Sequence, residues 1–313
     1  MMPLVPLEER HVGAFDEIIH SKEEPRLSIL RRLRSLLARR YRAYSSARHE
    51  LAALPRSYAY FGVTGVREAI LASHACRGAR KQSPAPRSSF ETSEREALLQ
   101  CYDGETNGRK EMLGRIRKLQ PAKQRWYCQY CCGMSRSATW DHYLHKAQFP
   151  EFSVYAPNLV PSCGECNGLR RAWIKYGKRT SINFYYDRLD PMRPLIQAKI
   201  AIGDDGDPEV TFSLMVRRVS RTRFGRLFER HWRALDLERR LREGAPTTLA
   251  VLQAHVEVRA RDVRVSAQDL AEELASEAEC LRRSLGANHI QTVIYRAAAV
   301  SPELIEYYLK RAP

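Results

Sequence analysis

The chain has 313 residues, of which 44% are hydrophobic and 28% charged, and it carries a formal net charge of +16. No apolar run approaches the roughly 18 residues of a membrane span, which excludes a membrane-spanning helix and predicts a soluble protein. The basic balance favours a polyanionic partner, nucleic acid first, over an acidic peptide or a neutral metabolite.

The length suits one large domain or two of ordinary size. The opening MMPLVPLEERHVGAF has no basic segment followed by an apolar stretch, so it does not read as a secretory signal and the expected location is the cytoplasm. From Arg26 to Arg48 there are eight arginines and no acidic residue, with Leu30, Leu33, Leu37, Tyr41 and Tyr44 recurring at three- and four-residue steps. That spacing predicts an amphipathic basic helix. Arg31, Arg39 and Arg42 fall on its outer side, where they could meet DNA phosphates or an acidic protein surface, or simply solvate the face.

The Pro- and Ser-rich stretch Lys81–Glu94, KQSPAPRSSFETSE, reads as a loop. Ser93 with Glu96 three residues on has the S-x-x-E form of a capping box and predicts a helix start. Helical spacing breaks at DGETNG and resumes in KEMLGRIRKLQ. Further on, SINFYYDRLDPM and QAKIAIGDDGDPEVTFSLMV suggest strands, the latter turning at its Gly/Asp run. From Arg221 to the end the pattern is helical, and no repeat of fixed period appears. Residues 1–120 form a helical basic region, 121–220 a central region and 221–313 a helical C-terminal region.

Five of the eight cysteines fall between Cys128 and Cys166; Cys76, Cys101 and Cys280 lie outside and read as ordinary thiols. In a reducing compartment, CxxC pairs are more often thiolate ligands than crosslinks. Cys128 with Cys131 and Cys163 with Cys166 supply the four thiolates of a closed, tetrahedral structural zinc site. Cys132 competes with its neighbour, but only Cys131 gives the usual gap.

Asp141 and His142 stand side by side between the pairs, with Asn158 and Asn167 following. A carboxylate and an amide oxygen suit a hard divalent cation, and a neutral imidazole can take a proton from water near pH 7. A DH dipeptide alone carries almost no weight.

In the order CxxC, DH, N, CxxCN, and specifically in DHYLHKAQFPEFSVYAPNLVPSCGECN, the chain resembles the HNH nuclease family. The likeness covers roughly Trp126 to Val216 and is to the branch found in Septu-like bacterial anti-phage systems, whose nuclease works beside an ATPase. It implies an α+β protein, mostly helical, around a zinc-braced ββα-metal core with a small adjoining sheet. It also implies cleavage of DNA with magnesium or manganese. On this resemblance Asp141 and Asn167 would ligate the catalytic ion and His142 would be the general base. Asn158 would brace the backbone that orients the histidine. Arg170 and Arg171, just after Asn167, could grip phosphate or lie on a solvated helix face.

Two positions depart from the pattern. His145 stands where proline is usual, and reads as a loop residue rather than a substrate contact. Asn183 stands where a histidine would be expected, so no further ligand is implied there. The competing reading is a non-catalytic zinc module that binds nucleic acid or a partner protein. No GxxxxGK[ST] phosphate loop occurs, so ATP-driven search or gating would need a separate subunit.

Overall fold

A computed structural model describes residues 1–8, 12–54, 89–170, 174–175, 178–262 and 265–311. The chain is α+β, and its strands form three antiparallel pairs among the described residues, one of them only two residues long on each side.

Helix α1 (Gly13–Ile19) precedes α2 (Arg26–Ser46), the basic helix, which buries the expected stripe of Leu30, Leu33, Leu37, Tyr41 and Tyr44. Arg40 is buried with that stripe. Helix α3 spans Ser89–Asp103, so it starts ahead of Ser93. The expected capping box is therefore not its N-terminus. Between Ser89 and Asp103 there is no Gly or Pro to interrupt the helix and the serine is tolerated inside it. Helix α4 (Asn107–Leu119) is capped by Thr106, whose hydroxyl accepts from the Arg109 amide, and has Arg117 and Lys118 in its last turn. Both features satisfy or complement the helix ends.

Strand β1 (Thr139–His142) pairs with β2 (Leu159–Ser162), with Thr139 opposite Ser162 and His142 opposite Leu159. Helix α5 (Gly164–Leu169) follows directly, its N-cap being Cys163, which accepts from the Cys166 amide. The segment joining the strands contains 3₁₀ turns at Pro150–Phe152 and Ala156–Asn158. Helix α2 clamps this segment. Arg40 pairs with Glu151 at 2.6 Å with both side chains buried, Tyr41 stacks on Tyr155 at 4.3 Å, and the Tyr44 hydroxyl donates to the Pro157 carbonyl at 3.1 Å.

The short pair β3 (Ile174–Lys175) and β4 (Lys178–Arg179) precedes the hairpin of β5 (Ile196–Ile202) and β6 (Pro208–Leu214), which turns through the Gly/Asp run as expected. SINFYYDRLDPM is not a strand. Asn183 there accepts from the Tyr185 amide through Oδ1, and the Asp187 carboxylate accepts from the Asn183 amide at 2.7 Å. These local side-chain bonds compete with sheet pairing, while the buried aromatics mimic a strand pattern.

Helices α6 (Val216–Val219), α7 (Arg223–Ala234) and α8 (Leu237–Asp262) follow, the last two separated at Asp236, whose φ is 48°. Helix α9 (Ala267–Leu285) opens with a capping box between Ser266 and Asp269 and packs with α10 (Ile290–Ala298) and α11 (Pro302–Arg311). Helix α10 also meets β5, where the Arg296 guanidinium donates to the Ile196 carbonyl at 2.6 Å. One connected apolar cluster runs from Met1 to Tyr308 through all three sequence regions. Among the described residues no helix is long and apolar enough to cross a membrane.

Candidate metal centre and adjoining cleft

The four sulfurs of Cys128, Cys131, Cys163 and Cys166 lie within 4.8 Å of one another and are buried. A tetrahedral site with metal–sulfur bonds of about 2.3 Å needs sulfurs roughly 3.8 Å apart, so the cluster could hold a metal such as zinc. Hydrogen bonds from its neighbours, Cys128 first, hold the Cys163 thiol far below its ordinary value, while burial pushes the Cys128 thiol well above its own, so the four sulfurs share their protons unevenly. Arg240 of α8 reaches in from behind, donating to the Cys166 sulfur at 3.3 Å and pairing with Glu165 at 2.8 Å. A buried guanidinium against sulfur offsets thiolate charge and fixes ligand orientation.

Cys132 is buried outside this set, and burial pushes its thiol up to about 12. It occupies the left-handed region at φ 58°, followed by Gly133 at 79°. A Cβ on Gly133 would stand 2.0 Å from His289 Nε2, so the turn that separates Cys131 from Cys132 admits only glycine there.

Beside the β1–β2 hairpin lies a cleft of about 390 Å³ lined by Asp141, His142, His145, Lys146, Asn167 and Arg109, together with Tyr102 and Trp140. His142 sets its Nε2 2.9 Å from the Ser153 carbonyl. Because a carbonyl only accepts, this bond assigns the proton to Nε2 and leaves the Nδ1 lone pair unprotonated. Burial lowers the His142 pKa to about 3, so the ring is neutral near pH 7 and gains basicity when a nearby anion favours the imidazolium. The Tyr102 ring packs edge-on at 4.3 Å.

Asn158 lies behind the cleft and is fully buried. Its Oδ1 accepts from the Leu144 amide at 2.7 Å, and its Nδ2 donates to the Leu144 and Phe152 carbonyls at 3.1 Å. Those bonds close the segment that presents Ser153 to His142. Asn167, on α5, points Nδ2 toward the Trp140 carbonyl at 3.4 Å and Thr139 Oγ1 at 3.5 Å. In that orientation its amide oxygen is turned away from β1.

Asp141 is the most constrained member. Its Oδ2 accepts from the Tyr130 hydroxyl at 2.9 Å and lies 2.5 Å from Arg170 Nε. Burial raises the carboxyl pKa, against the opposing pull of Arg170 and Tyr130. Arg170 is itself buried at 4% exposure, and its other nitrogens donate to the His142 and Tyr143 carbonyls at 2.8 and 2.6 Å and to Ser181 Oγ at 2.7 Å. The phosphate-gripping role expected of Arg170 does not fit this position: its guanidinium is spent inside the protein, bracing β1 and α5. Arg171 lies outside the described residues.

His145 is exposed on the cleft wall, and its Nδ1 accepts from the Ala147 amide at 3.3 Å. Arg31, Arg39 and Arg42 are exposed on α2; none of them lines the cleft. Asn183 is buried away from it. Tyr102, Arg109, Lys146, Ser153 and the Arg40–Glu151 pair escaped the sequence reading. Only the LHK run after Asp141 gave a local hint, through Lys146.

No known protein family matches the chain, and no solved structure matches it. A stretch of 40 residues is 48% identical to Protein ea31 of Escherichia phage lambda, covering 13% of this chain and 14% of that protein.

Proposed function

We propose that the protein is a metal-dependent endonuclease of HNH type that hydrolyses phosphodiester bonds in DNA. Zinc would sit among the four cysteines and magnesium or manganese beside Asp141 and Asn167. The observation that supports this best is the histidine: Nε2 of His142 is committed to Ser153 at 2.9 Å, on the wall of a cleft that also gathers a carboxylate, an amide and two basic side chains. A binding module has no need of a neutral imidazole with its tautomer fixed.

In this reading His142 Nδ1 takes a proton from the attacking water, and the phosphate's negative charge raises its basicity toward working range. Asn158 keeps the ring oriented through the Ser153 segment. Asp141 offers the oxygen left outside its Tyr130 and Arg170 contacts, and Asn167 would offer its amide oxygen once the amide, which here turns Nδ2 toward β1, rotates by half a turn; both are hard donors suited to a divalent cation. When bound, that ion supplies charge stabilisation at the phosphate and the departing 3′-oxygen. Arg109 and Lys146 take the phosphate-facing role that Arg170 does not occupy. The likeness in sequence to the nucleases of Septu-like systems supports an effector of bacterial anti-phage defence working with a separate ATPase or sensor subunit.

The Asp141–Arg170 pair favours the alternative, a non-catalytic zinc module, because the arginine partly neutralises the carboxylate. Plasmid cleavage with magnesium or manganese separates the two. Wild type should cut, His142→Ala should lose cleavage while keeping manganese and DNA binding, Asp141→Ala should lose cleavage and tight manganese binding, and His145→Ala should retain most activity. A general base contributes about 10²- to 10⁴-fold. No cutting of either plasmid or single-stranded DNA by zinc-loaded wild type, or unchanged cutting by His142→Ala, would sink the assignment.

A further inference from the structure

A stack of aromatic and guanidinium groups leads from the surface into the cleft. Trp126 and Tyr127 are 48% and 43% exposed, side by side between α4 and the first cysteine pair. The Arg117 guanidinium lies 4.6 Å from the Trp126 ring centroid and 5.1 Å from that of Trp140. It is fixed there by donation to the Ser137 carbonyl at 3.0 Å, Ser137 Oγ at 3.1 Å and the Arg125 carbonyl at 3.3 Å. The exposed Arg136 stands 5.8 Å from the Trp126 ring. Trp140 then lines the cleft beside His142.

The surrounding charge has one sign: Asn107 to Trp140 holds eight Lys and Arg residues against the single acidic Glu111. A single exposed aromatic is ordinary on a surface; Trp126 differs in being flanked by guanidinium groups and continued through Arg117 to Trp140 at the cleft. Interleaved with fixed cations, these rings suit a ligand that offers both π faces and phosphates. A duplex uses its π faces internally, and exposing them costs unstacking; a single strand offers them freely. Apolar partner surfaces would leave the guanidinium groups without anions.

We infer that Trp126, with Arg117 and Arg136, is a stacking platform for the unpaired bases of a single-stranded polynucleotide entering the cleft. This rests on the nuclease reading for what happens in the cleft, while binding itself does not depend on it.

The test uses the full-length, zinc-loaded His142→Ala protein without added magnesium or manganese, and a fluorescein-labelled oligothymidine of about 20 nucleotides beside a duplex of equal length. The single strand should bind at least tenfold more tightly than the duplex. Trp126→Ala should weaken single-strand binding by about tenfold, Trp126→Phe should keep most of it, and neither change should alter duplex affinity or zinc content. Equal affinity for strand and duplex, or full single-strand affinity in Trp126→Ala, would overturn the inference. Cleavage by wild-type protein is scored separately. Trp126-dependent binding without any cleavage would remove the nuclease reading and leave the platform, whereas cleavage with Trp126-independent binding would do the reverse.

Discussion

The central segment from Tyr127 to Arg170 and the C-terminal helices from Ala267 to Arg311 are held by opposite means. In α9, α10 and α11 the interior is apolar, with Leu270, Leu274, Val293, Ile294, Leu304 and Ile305 buried. Most of their charged pairs lie toward water, as in Arg283–Glu279 and Lys310–Glu306. In the central segment the charges point inward: Asp141 on Arg170, Glu151 on Arg40, and four cysteine sulfurs on one another. Apolar contacts are many and each is partly replaceable. A buried charge is tolerable only with its partner, so its loss is close to all-or-none. The difference marks where the chain accepts a stability risk to hold polar groups in fixed geometry.

The largest effect should come from the sulfur cluster. Cys163→Ser removes one of the four sulfurs while leaving a hydroxyl that can still cap α5, and because ligand–metal bonds would be folding energy in so small a hairpin, the central segment should lose its cooperative transition along with any bound metal. Elemental analysis and thermal unfolding check this. A single apolar truncation in the C-terminal layer, Leu274→Ala, should by contrast lower stability by about 2–5 kcal/mol and leave zinc in place. Equal outcomes from the two variants would break the comparison.

Next comes the buried pair that joins α2 to the Ser153 segment. Arg40→Met leaves the Glu151 carboxylate buried without its guanidinium and should cost about 3–5 kcal/mol in urea unfolding. Adding Glu151→Gln should recover part of that loss, since the stranded charge is then gone. A double variant no better than Arg40→Met would show that the pair contributes packing and not charge compensation.

These pairs also explain what could be read from the sequence. The clustering of the four cysteines was legible because the CxxC spacing is local and survives without tertiary context, and the structure brings their sulfurs within 4.8 Å of one another; the β5–β6 hairpin was legible because alternation and a Gly/Asp turn are local. Asp141, His142 and Asn167 were legible as residue types in order, and the cleft does gather those three. Arg170 was not, because nothing local distinguishes an arginine on a helix surface from one swallowed beneath it. Ser153 was invisible for a different reason: it acts through its backbone carbonyl, which every residue carries. Arg40 was hidden within a run of basic residues, and only its burial against Glu151 separates it from Arg39 and Arg42.

A smaller effect follows from pH. His231 is buried, with Nε2 2.8 Å from the Tyr130 carbonyl, and burial lowers its pKa to about 4 from an ordinary 6.5. The unfolded chain therefore binds a proton in the window between those values and the folded chain does not. The stabilisation is present in full above pH 6.5 and is lost as pH falls toward 4, by roughly 3 kcal/mol at most. His231→Gln, which can still donate to Tyr130, should flatten the stability profile across that window relative to wild type. Parallel profiles would mean that the ring is already protonated or solvated in the folded protein. The half-buried Glu279 in the C-terminal layer, held near 2 by Arg282, has no such window to contribute there.

The smallest effect on stability, and the one most specific to function, belongs to the outer side of α2. Arg31, Arg39 and Arg42 are all exposed, on the same helix whose Arg40 is locked to Glu151. Changing Arg31, Arg39 and Arg42 together to Glu should leave zinc content and the unfolding midpoint nearly unchanged, because exposed arginines on a long helix contribute little to the fold. If they touch DNA phosphates, the slope of log affinity against log salt should shrink by roughly one unit per lost contact. A destabilised variant would mean that this side is structural like Arg40. An unchanged slope in a stable variant would make it a solvated face, and would leave the eight basic residues between Asn107 and Trp140 as the route by which a polyanion reaches the cleft.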